Sequence, residues 1–270
     1  ARPCYVMDLG AGFGFLSMFL AELLPPARVA RCILMDSGFP NRGVQSSAGA
    51  ISTEHIYGCG AWRIPLHTLK VDLKKGRALN DIAQRVLRAA VPGCRGMRAP
   101  CLVCAVHLCN TLSLRAAQLF NQHPEVVSLA LVPCCFPTQR HVAQGVVYQL
   151  GSHRFAAQEF LDAKVVPSSK ARFAKWAEHI LEGIEPGAHG SKVLERHDLH
   201  RPQAAGMFPQ DLYIFAERQW HASPEPISGP IGGTVIVDAE YGHAAARCGK
   251  IMQGGQQGCA DSGSAVHGWP

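Results

Sequence analysis

A glycine-rich turn between a predicted strand and a predicted helix constrains the fold of this chain most strongly. Residues 4–9 form a short apolar run, residues 10–14 alternate glycine with other residues, and residues 15–24 form an apolar helix that stops at Pro25. Glycine lets the backbone bend sharply and lets a ligand approach the main chain. The amino terminus of the following helix presents free N–H groups. This strand-turn-helix unit predicts a ligand-binding α/β fold.

Alternation of apolar strands and helices continues along the first half of the chain. Continuously apolar strands are typical of a parallel sheet that is covered by helices on both faces. We therefore predict a Rossmann-like, seven-stranded, mostly parallel sheet in residues 1–220, with helices on both faces. The further predicted strands are 29–35, 66–71, 100–106, 126–132, 191–197 and 211–215, and the further helices are 80–91, 112–121 and 170–182. Residues 221–270 are rich in Gly, Ser, Ala and Gln and predict an irregular low-complexity tail with one candidate strand at 234–237.

Composition narrows the class of protein. The 270 residues are 47% hydrophobic and 17% charged, which suits a full hydrophobic core and excludes global disorder. No apolar run reaches the length of about 18 residues that a membrane-spanning helix needs. The 11 cysteines are irregularly spaced, and several lie in apolar runs. This pattern predicts free thiols in a reducing intracellular compartment, either cytoplasmic or mitochondrial.

Acidic residues follow or end three of the predicted strands. Asp8 precedes the first glycine, Asp36 follows the second strand, and Asp72 follows the third. In open parallel sheets, ligands bind beyond the carboxyl ends of the strands, and an acid at the second position accepts the two ribose hydroxyls of a nucleoside-type cofactor. The sequence therefore predicts a cofactor site at this edge of the sheet.

At these residues the chain resembles the class I S-adenosylmethionine-dependent methyltransferases. Their first motif, an acid followed by G-x-G-x-G, is matched by Asp8, Gly10, Gly12 and Gly14. The resemblance implies that the turn lies under the methionine part of the cofactor, that Asp36 holds the ribose, and that Asp72 lies near the adenine. The cofactor-binding set it implies is Asp8, Gly10, Ala11, Gly12, Gly14, Asp36, Asp72 and His107. The competing interpretation is a nicotinamide site, whose G-x-G-x-x-G fingerprint requires a third glycine where this chain has Phe15.

A second resemblance narrows the group. The segments His107-Leu108-Cys109-Asn110 and Pro133-Cys134-Cys135-Phe136 follow the fourth and fifth predicted strands. They are similar to the H-x-C-G and C-C segments of a eukaryotic methyltransferase-domain group that includes relatives of the transfer-RNA acceptor-stem methyltransferases. The likeness covers residues 4–218 and implies a substrate pocket made of Asn110, Pro133, Cys134 and Cys135. Asn110 stands where that group has glycine.

Two residue types near the pocket carry open alternatives. His107 is either a general base for a hydroxyl or amine nucleophile or a histidine in the pocket wall. The spacing of Cys101, Cys104, His107 and Cys109 fits zinc ligands. However, side chains alternate along a strand, so Cys101 and Cys104 are predicted to face opposite sides of the sheet, and we expect no metal.

The distribution of charged residues indicates which binding partners the chain could have. Residues 1–100 carry 13 basic and 6 acidic residues, and the basic residues concentrate in 69–77 together with Arg85, Arg88, Arg95 and Arg98. This stretch is either a phosphate-binding face or an ordinary solvated surface. The function predicted from the resemblance is methyl transfer from S-adenosylmethionine to RNA, with a protein or small-molecule acceptor as a weaker variant.

The alternative is a catalytically inactive structural subunit of a large organellar, even ribosomal, ribonucleoprotein assembly, with protein partners bound through 221–270. Three features favour this alternative: Asn110, the tail, and the small number of residues before the first strand. Those few residues cannot form a helix that covers the cofactor.

Overall fold

The computed structural model describes residues 3–40, 50–87, 99–197 and 211–220, and it confirms the predicted α/β architecture. The strands are β1 Cys4–Leu9, β2 Val29–Asp36, β3 Leu66–Lys70, β4 Cys101–Leu108, β5 Val126–Pro133, β6 Val147–Leu150, β7 His153–Ala156, β8 Ser191–Arg196 and β9 Leu212–Glu217. Seven of them form one sheet in the order β3-β2-β1-β4-β5-β9-β8. The first five strands of that order, β3, β2, β1, β4 and β5, are parallel to one another, whereas β9 runs antiparallel to both of its neighbours. The sheet is therefore Rossmann-like and mostly parallel.

Helices cover both faces of this sheet. They are α1 Phe15–Leu23, α2 Glu54–Tyr57, α3 Ala78–Ile82, α4 Leu112–Gln122, α5 Arg140–Ala143, α6 Ala157–Leu161 and α7 Ser169–Gly183. Successive side chains of a strand point to opposite faces, and in β1 the side chains of Val6 and Met7 belong to two different hydrophobic clusters. The Val6 cluster includes Ala21 of α1, and the Met7 cluster includes residues of α3, α4 and α7.

Helix α7 and the β6–β7 hairpin form the most aromatic part of the core. Ser168 caps α7 by accepting a hydrogen bond from the Ala171 N–H at 3.4 Å. The helix buries one face at the period of 3.6 residues, and on that face Trp176 packs 5.0 Å from the Phe160 ring and 5.8 Å from the Tyr148 ring, centroid to centroid. The aromatic rings hold the hairpin, α6 and α7 together as one layer beside the end of the sheet.

Several predicted boundaries were wrong by one or two residues. Strand β4 continues to Leu108, so His107 lies inside the strand rather than after it, whereas β1 ends at Leu9 as predicted. The predicted helix 80–91 begins at Ala78 and continues as a π-helical segment, Ala83–Leu87. Its remainder, the candidate strand 234–237 and the tail 221–270 lie outside the described residues. Among the helices that the structure describes, none has the length and apolarity needed to cross a membrane.

Candidate functional site

The candidate site lies where the strand order reverses direction. Strand β1 pairs with β2 on one side and with β4 on the other, and chain connections leave these strands toward opposite sides of the sheet. The crevice outside the carboxyl ends of strands at such a switch point is the usual ligand site of open α/β sheets. The glycine turn, Asp36 and the end of β4 all lie at this edge.

The three glycines of the turn have left-handed backbone conformations, with φ angles of 70° at Gly10, 55° at Gly12 and 80° at Gly14. A Cβ atom at Gly10 would lie 2.5 Å from the Leu108 side chain, and one at Gly14 would overlap the side chain of Leu34. At Gly12 a Cβ would meet nothing within 4 Å. Gly10 and Gly14 therefore permit close packing against the strands, whereas Gly12 faces open space that a ligand can fill.

Asp36 fixes this turn to the end of β2. Its Oδ2 accepts a hydrogen bond from the Gly12 N–H at 3.0 Å, and its Oδ1 accepts one from the Gly38 N–H at 2.7 Å. The N–H groups of Gly10 and Ala11 both donate to the Met35 carbonyl, at 2.8 and 3.0 Å. An ionised carboxylate offers about four lone-pair sites. Asp36 therefore keeps acceptor capacity for the hydroxyl groups of a ligand while it holds the turn.

Asp8 is a buried carboxyl group behind the turn. The Ser17 hydroxyl donates to its Oδ2 at 2.8 Å, and only 3% of the residue is exposed. Burial raises the pKa of Asp8 to about 6, the Ser17 hydrogen bond opposes this shift, and the nearby Asp36 charge adds to it. The carboxyl groups of Asp8 and Asp36 are therefore close enough to repel each other when both are ionised.

The structure places Asp72 in the loop after β3. Its Oδ1 accepts a hydrogen bond from the Lys74 N–H at 3.1 Å, and the preceding Val71 N–H donates to the Asp36 carbonyl at 3.1 Å. The loop is thereby held next to the end of β2. Within the described part of the chain, neither Asp72 nor His107 shares a hydrogen bond with the glycine turn.

The ends of β4 and β5 bring three thiols together. His107 and Asn110 have positive φ angles of 62° and 55°, which turn the chain sharply after Leu108. The Cys109 Sγ lies 3.0 Å from the Cys134 Sγ, and the Cys134 Sγ lies 3.8 Å from the Cys135 Sγ. Hydrogen bonds from Cys134 and Cys135 lower the pKa of Cys109, and the pKa values of the two donors are raised. Asn110 thus has a left-handed conformation of the kind that favours glycine.

The alternative zinc set is not assembled. The Cys101 side chain belongs to the hydrophobic cluster of Met7 and donates to the Ala99 carbonyl at 3.6 Å, while Cys104 packs against the cluster of Val6. The prediction that these two thiols face opposite sides of the sheet is confirmed. Of that set, only Cys109 belongs to a group of three potential metal ligands among the described residues.

An exposed apolar stripe lies beside the glycine turn. Phe15, Phe19 and Leu23 follow each other at every fourth position of α1 and are 60%, 67% and 76% exposed. Phe13 stacks on Phe15, and His55 Nε2 donates to the Phe13 carbonyl at 2.6 Å. The sequence predicted an apolar helix here but not its exposed stripe, because nearly every residue of the helix is apolar.

The basic stretch is solvent-exposed where the structure describes it. Lys70, Lys74, Lys75, Arg77 and Arg85 are all exposed. Arg85 also lines a shallow cleft of about 210 Å³ between β2, β3 and the π-helical segment. That cleft is smaller than the roughly 300–1,000 Å³ of pockets for drug-sized ligands, and it lies away from the glycine turn. Arg88, Arg95 and Arg98 lie outside the described residues.

Comparison with known proteins adds no family to this geometry. No family model matches the chain, and no curated protein matches it in sequence. The candidate site therefore depends on its residues and their arrangement alone.

Proposed function

We propose that this protein binds S-adenosylmethionine at the glycine turn and transfers its methyl group to RNA. The observation that carries the proposal is the junction of the open glycine, Gly12, with the carboxylate of Asp36 at the switch point of the sheet. A nucleoside at this place would have its ribose hydroxyls within reach of a carboxylate that has spare acceptor sites. The reducing intracellular setting, cytoplasmic or mitochondrial, belongs to the same proposal and is supported by the free thiols.

Electrostatics favours this cofactor over a nicotinamide dinucleotide. S-adenosylmethionine carries a sulfonium and an ammonium group, and both would be attracted to the paired carboxyl groups of Asp8 and Asp36. A dinucleotide would instead bring its anionic pyrophosphate to the same helix terminus, next to those carboxyl groups. The third glycine of the nicotinamide fingerprint is also replaced by Phe15, which is exposed.

The residues of the site would mainly bind and orient. The methyl sulfonium of the cofactor supplies the reactive carbon when it is bound. Asp36 would hold the ribose, Asp8 would keep negative charge behind the turn, and Gly12 would let the ligand approach the backbone. His107 is exposed at the end of β4 and is the candidate that would take a proton from an acceptor hydroxyl or amine. Holding donor and acceptor in line supplies much of the rate enhancement in such reactions.

RNA is the proposed acceptor because of the exposed basic stretch on β3 and the loop that follows it. Lys74 and Lys75 lie two and three residues after Asp72, in the exposed loop that follows the carboxyl end of β3. Lysines and arginines of this kind contact phosphates and supply sequence-independent affinity.

Isothermal titration of the full chain with S-adenosylmethionine tests the proposal. We expect a Kd in the micromolar range, and we expect Gly12→Arg to abolish binding because the arginine fills the open space. Gly145→Arg is the matched control: Gly145 also has a positive φ, of 62°, and a Cβ there also meets nothing within 4 Å, but it lies in the turn after α5. The two variants carry the same added charge and similar backbone strain.

Methyl transfer is then measured with isotope-labelled cofactor and total RNA, protein and small-molecule fractions. Label in the RNA fraction supports the proposal. Label in the protein or small-molecule fraction instead would show that RNA is not the acceptor. A folded wild-type chain that does not bind S-adenosylmethionine would refute the enzyme function.

The exposed stripe on α1 favours one second candidate, a structural subunit of a larger ribonucleoprotein assembly. Three large apolar side chains in a row on one helix are unusual for a free surface and are typical of a face that contacts another molecule. Failure of cofactor binding by a folded chain, together with co-purification in a ribonucleoprotein particle, would support this candidate.

A further inference from the structure

Three cysteine thiols meet at the carboxyl ends of β4 and β5. The Sγ atoms of Cys109, Cys134 and Cys135 all lie within 4.8 Å of one another, and each of the three residues is half-buried. The distance of 3.8 Å between the Cys134 and Cys135 sulfurs equals the spacing that two thiolates have on one tetrahedral Zn²⁺, about 3.8 Å for Zn–S bonds of 2.3 Å. The 3.0 Å between Cys109 and Cys134 would have to open by less than 1 Å.

The fold builds this cluster from two neighbouring strands. Strands β4 and β5 pair in parallel, with Leu108 opposite Pro133, so the residues that follow each strand emerge side by side. The positive φ angles of His107 and Asn110 then turn Cys109 toward the end of β5. Left-handed conformations are uncommon in residues other than glycine, and strain of this kind is often found at functional sites.

The surroundings of the sulfurs suit thiolates. The Asn110 N–H donates to the Cys135 Sγ at 3.2 Å, which is the kind of outer contact that orients a metal-bound thiolate. Three thiolates on a divalent ion leave one net negative charge, which the nearby Lys74 ammonium group would offset.

We propose that Cys109, Cys134 and Cys135 bind a thiophilic divalent cation, Zn²⁺, with a fourth position open to water or to a ligand. No metal was expected from the sequence, because the spacing groups Cys109 with Cys101 and Cys104, whereas its partner thiols come from the next strand. On binding, three S–H groups lose their protons to solvent and three Zn–S bonds form, without any change of oxidation state. Three protein ligands and one open position are typical of zinc sites that do chemistry. This inference does not depend on the proposed function.

The cluster has one competing fate, a Cys109–Cys134 disulfide. A disulfide has an S–S length near 2.05 Å and engages only two sulfurs, whereas here the third sulfur lies in the same group and receives a backbone hydrogen bond. The arrangement of all three sulfurs is therefore better suited to a metal ion than to a disulfide.

Titration of the reduced, metal-free full chain with Co²⁺ and then Zn²⁺ tests the proposal. The background carries Cys94→Ser, Cys248→Ser and Cys259→Ser, which removes the thiols outside the described residues. We expect one Co²⁺ per chain with thiolate-to-metal charge-transfer absorption in the near ultraviolet, displaced by one Zn²⁺. Each of Cys109→Ser, Cys134→Ser and Cys135→Ser should weaken metal binding by more than about tenfold, since even an outer-shell change costs that much.

Cys59→Ser is the matched control, because Cys59 is an exposed free thiol outside the cluster, and it should leave metal binding unchanged. Circular dichroism of every variant establishes that it is folded. Absence of charge-transfer absorption in the folded background chain would overturn the proposal. Equal binding by the Cys134→Ser and Cys59→Ser variants, or a Cys109–Cys134 disulfide that forms in air in the presence of excess Zn²⁺, would overturn it as well.

Discussion

Both ends of the candidate site contain left-handed backbone conformations, but different residue types adopt them. At the end of β1 the chain adopts three left-handed conformations, and glycine occupies every one of them. At the end of β4 it adopts two more, and His107 and Asn110 occupy these. Glycine takes a positive φ without steric cost, whereas other L-residues lose about 1–2 kcal/mol there.

This difference indicates what each end contributes. The glycine turn contributes backbone: the N–H groups of Gly10, Ala11 and Gly12 are bonded to the end of β2, and at Gly12 the absence of a side chain leaves open space. The end of β4 retains side chains despite the strain, which suggests that the side chains themselves are needed there. Strained positions that keep a functional side chain are common at active and binding sites.

The largest effect expected from this comparison is at the glycine turn, where packing and conformation act together. Gly14→Ala adds a Cβ that overlaps Leu34 and forces a positive φ on alanine, so we expect a loss of about 2–5 kcal/mol in the free energy of unfolding. Gly12→Ala carries only the conformational cost, about 1–2 kcal/mol, because its Cβ meets nothing. Urea unfolding of both variants measures the difference, and equal losses would show that packing behind the turn is unimportant.

How well the sequence predicted each region follows from how local its signals are. The glycine turn and strands β1, β2 and β5 were predicted within one residue, because apolar runs and glycine spacing are properties of a short segment. The hairpin β6–β7 with α5 and α6 was missed entirely. Its strands are only four residues long, and aromatic contacts to α7, such as that of Tyr148 with Trp176, stabilise them. A local sequence pattern does not reveal such contacts.

Part of the candidate site could likewise be predicted from the sequence, and part could not. That Asp36 lies at the turn follows from strand order, and the structure confirms its proximity to Gly12. That Cys109 meets Cys134 does not follow from either segment alone, because it requires the pairing register of β4 with β5 and two unusual φ angles. A signal was present in hindsight: three cysteines at the ends of two adjacent parallel strands.

A second prediction concerns the charge behind the glycine turn. Burial raises the pKa of Asp8 from 3.8 to about 6, so the folded chain binds this proton more readily than the unfolded chain. The resulting contribution to stability is fully present below pH 3.8 and is lost as the pH rises through 6. Asp8→Asn removes the buried charge and keeps an acceptor for Ser17, so it should stabilise the protein by up to about 3 kcal/mol at pH 8 and by roughly half as much at pH 5.

Urea unfolding at the two pH values measures this effect. Asp81→Asn makes the same substitution at a surface carboxylate of α3 and should change stability little at either pH, since exposed ion pairs contribute little. If Asp8→Asn destabilised the protein equally at pH 5 and pH 8, the charge of Asp8 would not be the feature that distinguishes this end of the site.

The smallest effect is expected at the end of β4, where it sharpens the comparison most. Asn110→Gly removes the strain of a positive φ but increases the conformational entropy of the unfolded chain, so the two terms nearly cancel and stability should change by less than about 1 kcal/mol. Asn110→Ala keeps the strain without the local hydrogen bonding that helps asparagine tolerate it, and it should cost about 1 kcal/mol. Urea unfolding again provides the measurement.

If Asn110→Gly is as stable as wild type but binds Co²⁺ more weakly, the asparagine side chain serves the thiol cluster. If it binds Co²⁺ equally well, only the backbone conformation of Asn110 matters, and the two ends of the site are more alike than their sequences suggest.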